Sequence, residues 1–280
     1  MINLAIVGPG LLGGSIALAA RHRYRVALWA RRAEAVTELE AAGIGDRAST
    51  DLRSVVADAD LVVLCVPVGA MPALAREVAA AARGDALVTD VGSVKAPLCE
   101  QLGAILGGRF VGSHPMAGSE QTGLAAARAD LFADAVTIVT PDARTELSAT
   151  AAISGFWTAL GCRVLQLSPG EHDEIVALVS HLPHLLAATL VNTVAAKNAQ
   201  AFDFCGPGFR DTTRVAGGPP AMWAEILGTN RDAVGRAVEA LIENLREIVR
   251  LLDRDRPMTD FLTLAKAQRD RLRLPKTPHA

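Results

Sequence analysis

The sequence predicts an α/β domain over residues 1–168, followed by an all-helical domain over residues 169–280. Three observations carry this. Short β-branched runs alternate with helical stretches through the first two-thirds of the chain, the pattern of a parallel sheet with crossover helices. A Gly-x-Gly-x-x-Gly turn, Gly8 to Gly13, stands between the first strand and the first helix. After Ser168 the strand signals stop.

Leu4–Val7, Arg25–Ala30, Leu61–Val66, Ala86–Asp90, Arg109–Gly112, Ala135–Thr140 and Arg163–Leu167 read as strands. Several are almost wholly apolar, as expected where helices cover both faces of a sheet. Leu11–Arg21, Arg32–Ala42, Leu52–Ala57, Met71–Ala82, Val94–Leu106 and Thr145–Leu160 read as the helices between them. Ser168-Pro169-Gly170-Glu171 supplies an N-cap, a proline at the first helical position and an acidic residue near the helix start. The long apolar helix that follows should bend at Pro183. Phe202–Pro220, rich in Gly, Pro, Asp and Thr, reads as an ordered loop. Ala221–Leu227, Arg231–Leu252 and Thr259–Arg271 read as helices, and Leu274–Ala280 as a loose tail.

Half of the 280 residues are hydrophobic and only 4% aromatic, so alanine and leucine must fill a large, helix-rich core. The net charge of −2 offers no surface for a polyanion, and no nucleic-acid partner is expected. The four cysteines, Cys65, Cys99, Cys162 and Cys205, form no Cys-x-x-Cys pair. Reduced thiols in a cytoplasmic protein are the default for such spacing. With a strand this close to Met1, no secretory signal is expected. Ile175–Ala196 lacks Asp, Glu, Lys and Arg, but it carries His181, Pro183, His184 and Asn192 without cationic flanks. It is expected to be a helix buried in protein rather than in lipid.

The glycine turn has the strand–turn–helix context of a dinucleotide site. Gly8 permits the tight turn, Gly10 lets backbone approach a pyrophosphate, and Gly13 lets helix and sheet pack closely. Leu11 and Leu12 in the turn, with Val66 and Pro67 after the strand Leu61–Val66, complete the expected cofactor contacts. NAD sites usually place Asp or Glu at the end of the second strand to hold ribose hydroxyls. Here Trp29-Ala30 is followed by Arg31 and Arg32. Two guanidinium groups suit a 2′-phosphate, so NADP is expected to be preferred and NAD to be the alternative.

Chemistry concentrates in Ser113-His114-Pro115-Met116-Ala117-Gly118-Ser119-Glu120. An imidazole held by a proline, with an unperturbed pKa of about 6.5, is a candidate proton acceptor. With Gly8–Gly14, Asp90-Val91-Gly92-Ser93-Val94-Lys95, His181-Leu182-Pro183-His184 and Gly208–Arg214, this loop resembles the prephenate/arogenate dehydrogenases over nearly the whole chain. The resemblance implies a Rossmann-like domain joined to a helical domain that forms a homodimer interface. No appended amino-acid-sensing module is expected. It also implies oxidative decarboxylation of a cyclohexadienol with hydride transfer to NAD(P)+, and no metal.

By that resemblance His114 takes the proton of the substrate's ring hydroxyl. Ser93 sits near the nicotinamide and orients His114, or it caps the following helix. Arg214 binds a substrate carboxylate, with Arg210 a weaker candidate. His181 contacts substrate and His184 packs behind it, while Ser119 and Glu120 line the entrance. Lys95 reads as a solvated residue of the first helical turn, and Trp223 as a helix anchor. The substrate is arogenate, prephenate or both. A 4-amino-4-deoxy analogue, a β-hydroxyacid dehydrogenase or imine reductase, and a non-catalytic NADP sensor stand as alternatives.

Overall fold

The computed structural model describes residues 1–117, 121–253 and 258–272. Its strands are β1 (Ile2–Val7), β2 (Tyr24–Trp29), β3 (Arg47–Ser49), β4 (Leu61–Leu64), β5 (Leu87–Asp90), β6 (Phe110–Pro115), β7 (Val136–Thr140) and β8 (Arg163–Gln166). They form one sheet in the order β3-β2-β1-β4-β5-β6-β7-β8. The first six run parallel. β7 pairs antiparallel with β6 and parallel with β8.

That reversal departs from the all-parallel expectation, and its cause is local. A parallel return needs a long crossover, usually helical. Among the described residues between β6 and β7 the only helical piece is a single 3₁₀ turn, Leu124–Ala126, so β7 comes back beside β6 in the opposite sense. The short edge strand β3 also escaped the sequence reading. It holds by pairing Arg47 to Ser49 with Ala27 to Trp29, not by an apolar pattern of its own.

Period-two alternation sends each strand's side chains to both faces, and both are covered. Leu4 and Ile6 join Val26, Leu28 and Val63 beneath α1 (Leu11–Ala20), α2 (Ala33–Ala41) and α6 (Leu147–Ala159). Ala5 and Val7 join Val62, Leu64 and Val88 beneath α3 (Leu52–Val56), α4 (Met71–Ala81) and α5 (Ala96–Leu106). Each fully buried aliphatic side chain contributes roughly 1.5–3 kcal/mol.

Beyond the sheet run α7 (Pro169–Val176), α8 (Leu182–Asn198), α9 (Pro207–Thr213), α10 (Pro220–Thr229), α11 (Arg231–Asp253) and α12 (Thr259–Asp270). α7 opens on the capping box of Ser168 and Glu171. The irregularity expected at Pro183 lies just before it, as a π-helical turn over Ala177–His181. Proline has no N–H for the preceding turn, which frees a carbonyl and lets the helix widen there. Phe202–Pro220 is not a loop: a 3₁₀ turn Ala199–Phe204, α9 and a second 3₁₀ turn Arg214–Gly217 fill it. Its glycines and prolines start helices, Gly206 standing before Pro207 and Pro219 before Pro220.

The apolar helix is also less buried than expected. Residues 169–204 are long and apolar enough to cross a membrane by length and composition, yet only 28% of their most apolar window is buried. Leu178 and Val179 are 55% and 61% exposed. The small core of Ala177, Ala233, Val234 and Ala237 fixes only one side of these helices.

Candidate active site

The turn from β1 to α1 is built by its glycines. Gly8 has φ +109°, and a Cβ there would stand 2.5 Å from the Cys65 carbonyl oxygen. A Cβ on Gly13 would stand 2.0 Å from the Gly8 oxygen, so helix and turn could not close. Around Gly10 the space is open, with no atom within 4 Å of an added Cβ. Gly10 is the α1 N-cap and supplies no side chain to the helix's first N–H groups. A clear cradle over unpaired N–H groups fits a pyrophosphate. Arg31 and Arg32 follow β2, both exposed.

Outside the carboxyl ends of β1, β4, β5 and β6 lies a cavity of about 640 Å³. On the sheet side Gly10, Leu11, Leu12, Val66, Pro67, Ser93 and His114 line it. On the helical side the lining includes His181, Arg214, Met222, Trp223 and Glu225. The two sides are tied by the Glu225 carboxylate, which accepts the Gly69 N–H. The cavity occupies the point where strand order reverses between β1 and β4, where open α/β sheets bind ligands. Gly8, Gly13, Arg31 and Arg32 lie outside this lining, and Ser119 and Glu120 lie outside the described residues.

His114, on β6, is 7% exposed. Its Nδ1 lies 2.9 Å from His172 Nε2, and His172 Nδ1 lies 2.8 Å from Asp173 Oδ1. The ring thus bonds to His172 rather than to Ser93. Burial, reinforced by His172, Lys95 and His181, pushes the His114 pKa well below the usual imidazole value. Burial also lowers His172, against the pull of Asp173. Ser93 does not cap α5. Lys95 occupies that position, and the Asp173 carboxylate accepts the Lys95 and Ala96 N–H groups at 2.7 and 2.8 Å.

Lys95 itself overturns the expectation of a solvated side chain: it is fully buried. Its ammonium bonds to Asp90, whose carboxylate also accepts the Gly92 and Ser113 N–H groups. An unpaired charge at such depth would cost several kcal/mol, so the chain that brings Asp90 inward must bring Lys95 with it.

His181 is 1% exposed, and burial lowers its pKa to about 4. His184 stacks on Trp223 with ring centroids 3.6 Å apart, while His181 meets the same indole edge-on. Trp223 is therefore a wall of the cavity as well as an anchor. A Cβ on Gly218 would strike its indole nitrogen at 2.6 Å. Arg214 is exposed and shares the lining; Arg210 is absent from it.

The model of the "Prephenate dehydrogenase, nucleotide-binding domain" matches residues 16–166, and that of the "Prephenate dehydrogenase, dimerization domain" matches residues 168–266. This chain belongs to the prephenate dehydrogenase family. The cyclohexadienyl dehydrogenase of Zymomonas mobilis is 35% identical over 254 residues, covering 88% of this chain and 87% of that protein. The crystal structure of Aquifex aeolicus prephenate dehydrogenase, in complex with hydroxyphenyl propionate and NAD+, superposes with a TM-score of 0.91 at 32% identity, covering 96% of this chain and 97% of that one. The Synechocystis arogenate dehydrogenase gives 0.85 at 27% identity over 96% and 99%. The enzyme is thus of the prephenate/cyclohexadienyl dehydrogenase class, with a nucleotide-binding domain followed by a helical one.

For a dehydrogenase of this family the sequence reading overlooked His172, Asp173 and Asn230. Their signal was faint. A His-Asp pair flanked by Glu171 and Glu174 in a first helical turn reads as a solvated face, and its partners at His114 and Lys95 lie 58 and 78 positions away.

Proposed function

We propose that this enzyme is an NADP-preferring, cytoplasmic, homodimeric cyclohexadienyl dehydrogenase. It would oxidise and decarboxylate arogenate, prephenate or both, giving tyrosine or 4-hydroxyphenylpyruvate and carbon dioxide. One observation carries the reading: a single cavity joins the open Gly10 cradle, the buried imidazole of His114 and the guanidinium of Arg214. Its volume of about 640 Å³ is in the range of small-molecule sites.

When bound, the nicotinamide accepts the hydride that leaves the ring carbon bearing the hydroxyl. Gly8, Gly10, Leu11, Leu12, Gly13, Val66 and Pro67 would hold the cofactor. Arg31 and Arg32, with no carboxylate at that strand end, favour a 2′-phosphate. His114 takes the hydroxyl proton and must be neutral to do so; its lowered pKa keeps it neutral at physiological pH. Arg214 binds a carboxylate through its forked N–H donors, and His181 supplies a further polar contact. Ser93 positions the reacting groups from the end of β5, and Ser119 and Glu120 complete the entrance. Rearomatisation makes the reaction downhill, so positioning and one proton acceptor suffice.

The homodimer rests on the exposed apolar stripe of α11, Ile242, Leu245, Val249 and Leu252, within the region matched as a dimerization domain. The test of the whole reading is initial rates with arogenate and prephenate, each with NADP+ and NAD+. Turnover of at least one ring with higher kcat/KM for NADP+ is expected. Equal or better rates with NAD+ would overturn the cofactor preference, and no turnover would overturn the substrate class.

A further inference from the structure

The buried polar groups behind the cavity form one network, and its donors and acceptors can be assigned from chemistry. An ionised carboxylate only accepts, so His172 Nδ1, 2.8 Å from Asp173 Oδ1, carries the proton. A neutral His172 then has a bare Nε2. That nitrogen can only accept from His114 Nδ1 at 2.9 Å, which leaves His114 Nε2 without a proton on a ring that lines the cavity. The main chain of Asp173 starts the second branch. Its carbonyl oxygen accepts from Asn230 Nδ2 at 2.9 Å, which fixes the amide's orientation. The same NH₂ lies 3.2 Å from His181 Nδ1, so that nitrogen is the acceptor and His181 Nε2 carries the proton. His181 Nε2 is buried and has no hydrogen-bond partner among the described residues, although the residue lines the cavity.

We propose that Asp173, acting through His172 and Asn230, sets the two cavity histidines in opposite tautomers. His114 presents a bare Nε2 that accepts the substrate's hydroxyl proton. His181 presents an Nε2–H that donates to a substrate carboxylate, keto or carbonyl oxygen. Asp173, His172 and Asn230 are positioning residues, since none of them needs to touch substrate. The inference rests on the assignment of His114 as proton acceptor. As the hydroxyl O–H bond breaks, its proton joins His114 Nε2 and the electron pair stays on oxygen. The imidazolium so formed keeps its Nδ1–H on His172, whose far side faces the Asp173 carboxylate. No proton has to travel along the chain. Behind the rings Lys95 and Asp90 form an ion pair, and across the cavity stand Arg214 and Glu225. A buried donor without a partner is destabilising, and a ligand oxygen at His181 Nε2 would relieve that cost.

Long-range ¹H–¹⁵N spectra of the histidine-labelled dimer with NADP+ bound read the tautomers directly. Peaks are assigned by His114→Asn and His181→Asn. Protonation of His114 at Nδ1 and of His181 at Nε2 is expected; the opposite tautomer at either ring overturns the proposal. The kinetic counterpart is a pair of variants. His172→Leu removes the acceptor for His114 Nδ1–H and should lower kcat by ~10²–10⁴-fold with cofactor affinity unchanged. His172→Gln restores an acceptor oxygen and should recover at least ~10-fold of that loss. Equal losses in both variants would mean that His172 only fills space, and would overturn the relay. If the spectra match but His114→Asn turns over normally, the tautomers stand and the proton-acceptor assignment falls instead.

Discussion

The two walls of the cavity are made under opposite physical regimes. The sheet-side wall sits on two deep cores, and its polar groups are locked: Asp90 to Lys95, Asp173 to the α5 N-terminus, His114 to His172. The helical wall has a thin core and an exposed guanidinium at Arg214. Its rings are held by Trp223, on which His184 stacks, and by the Asn230 amide beside His181, rather than by a sheet. Preorganised groups in low dielectric are suited to the chemical step, because nothing need reorganise as charge develops. Groups on a looser wall are suited to capturing substrate. Rate should therefore depend on the sheet side and affinity on the helical side.

The strongest test of that division is His114→Asn. Loss of the proton acceptor should lower kcat by ~10²–10⁴-fold or more while dissociation of the cofactor, followed by fluorescence titration, is unchanged. The pH profile sharpens the test. Burial favours the neutral imidazole, so in the parent enzyme kcat should persist as pH falls through 6.5 and decline only in more acid solution. The residual rate of the variant should lack that acid limb. A parent enzyme that loses half its rate at or above pH 6.5 would mean that another group titrates in the reaction.

The next test is Lys95→Met, which leaves the Asp90 carboxylate buried without its cation. Breaking such a pair from one side costs about 3–5 kcal/mol, read as a large drop in the urea midpoint. Adding Asp90→Asn should recover part of it, because the uncompensated charge is gone. A Lys95→Met protein of parental stability would show that the sheet-side wall is not held by this pair.

The same contrast explains what could be read in the sequence. Periodicity and turn glycines are local signals, and they gave the cofactor turn and seven of the eight strands to within three residues at each end. Gly8 and Gly13 are required by contacts within their own strand–turn–helix unit and with Cys65 next door. What was not legible depends on distant partners. Lys95 is the exception, since Asp90 lies only five positions away, but a lysine in a first helical turn is ordinarily solvated and nothing local marks it as buried. His172 meets His114, and Asn230 meets Asp173 and His181, at separations of 58, 57 and 49 positions. The direction of β7 was hidden for the same reason: it follows from how its connection packs, not from its composition. Phe202–Pro220 shows a limit of another kind, since proline and glycine punctuate helix starts as readily as loops.

Arg214→Ala probes the helical wall and should give the smallest of the three effects. A hydrogen bond from a charged donor contributes about 1.5–3 kcal/mol. Its loss should raise KM by roughly 10–100-fold, with kcat changed by no more than about 3-fold. Arg214→Lys should fall between, because an ammonium keeps the charge but not the forked geometry. Together these variants separate charge from shape at a position where the side chain is exposed and solvent competes for it. Steady-state kinetics with each ring substrate reads the split directly. A variant with parental KM and a collapsed kcat would place Arg214 among the groups that act in the transition state, and the division between a rate wall and an affinity wall would fail at its most exposed member.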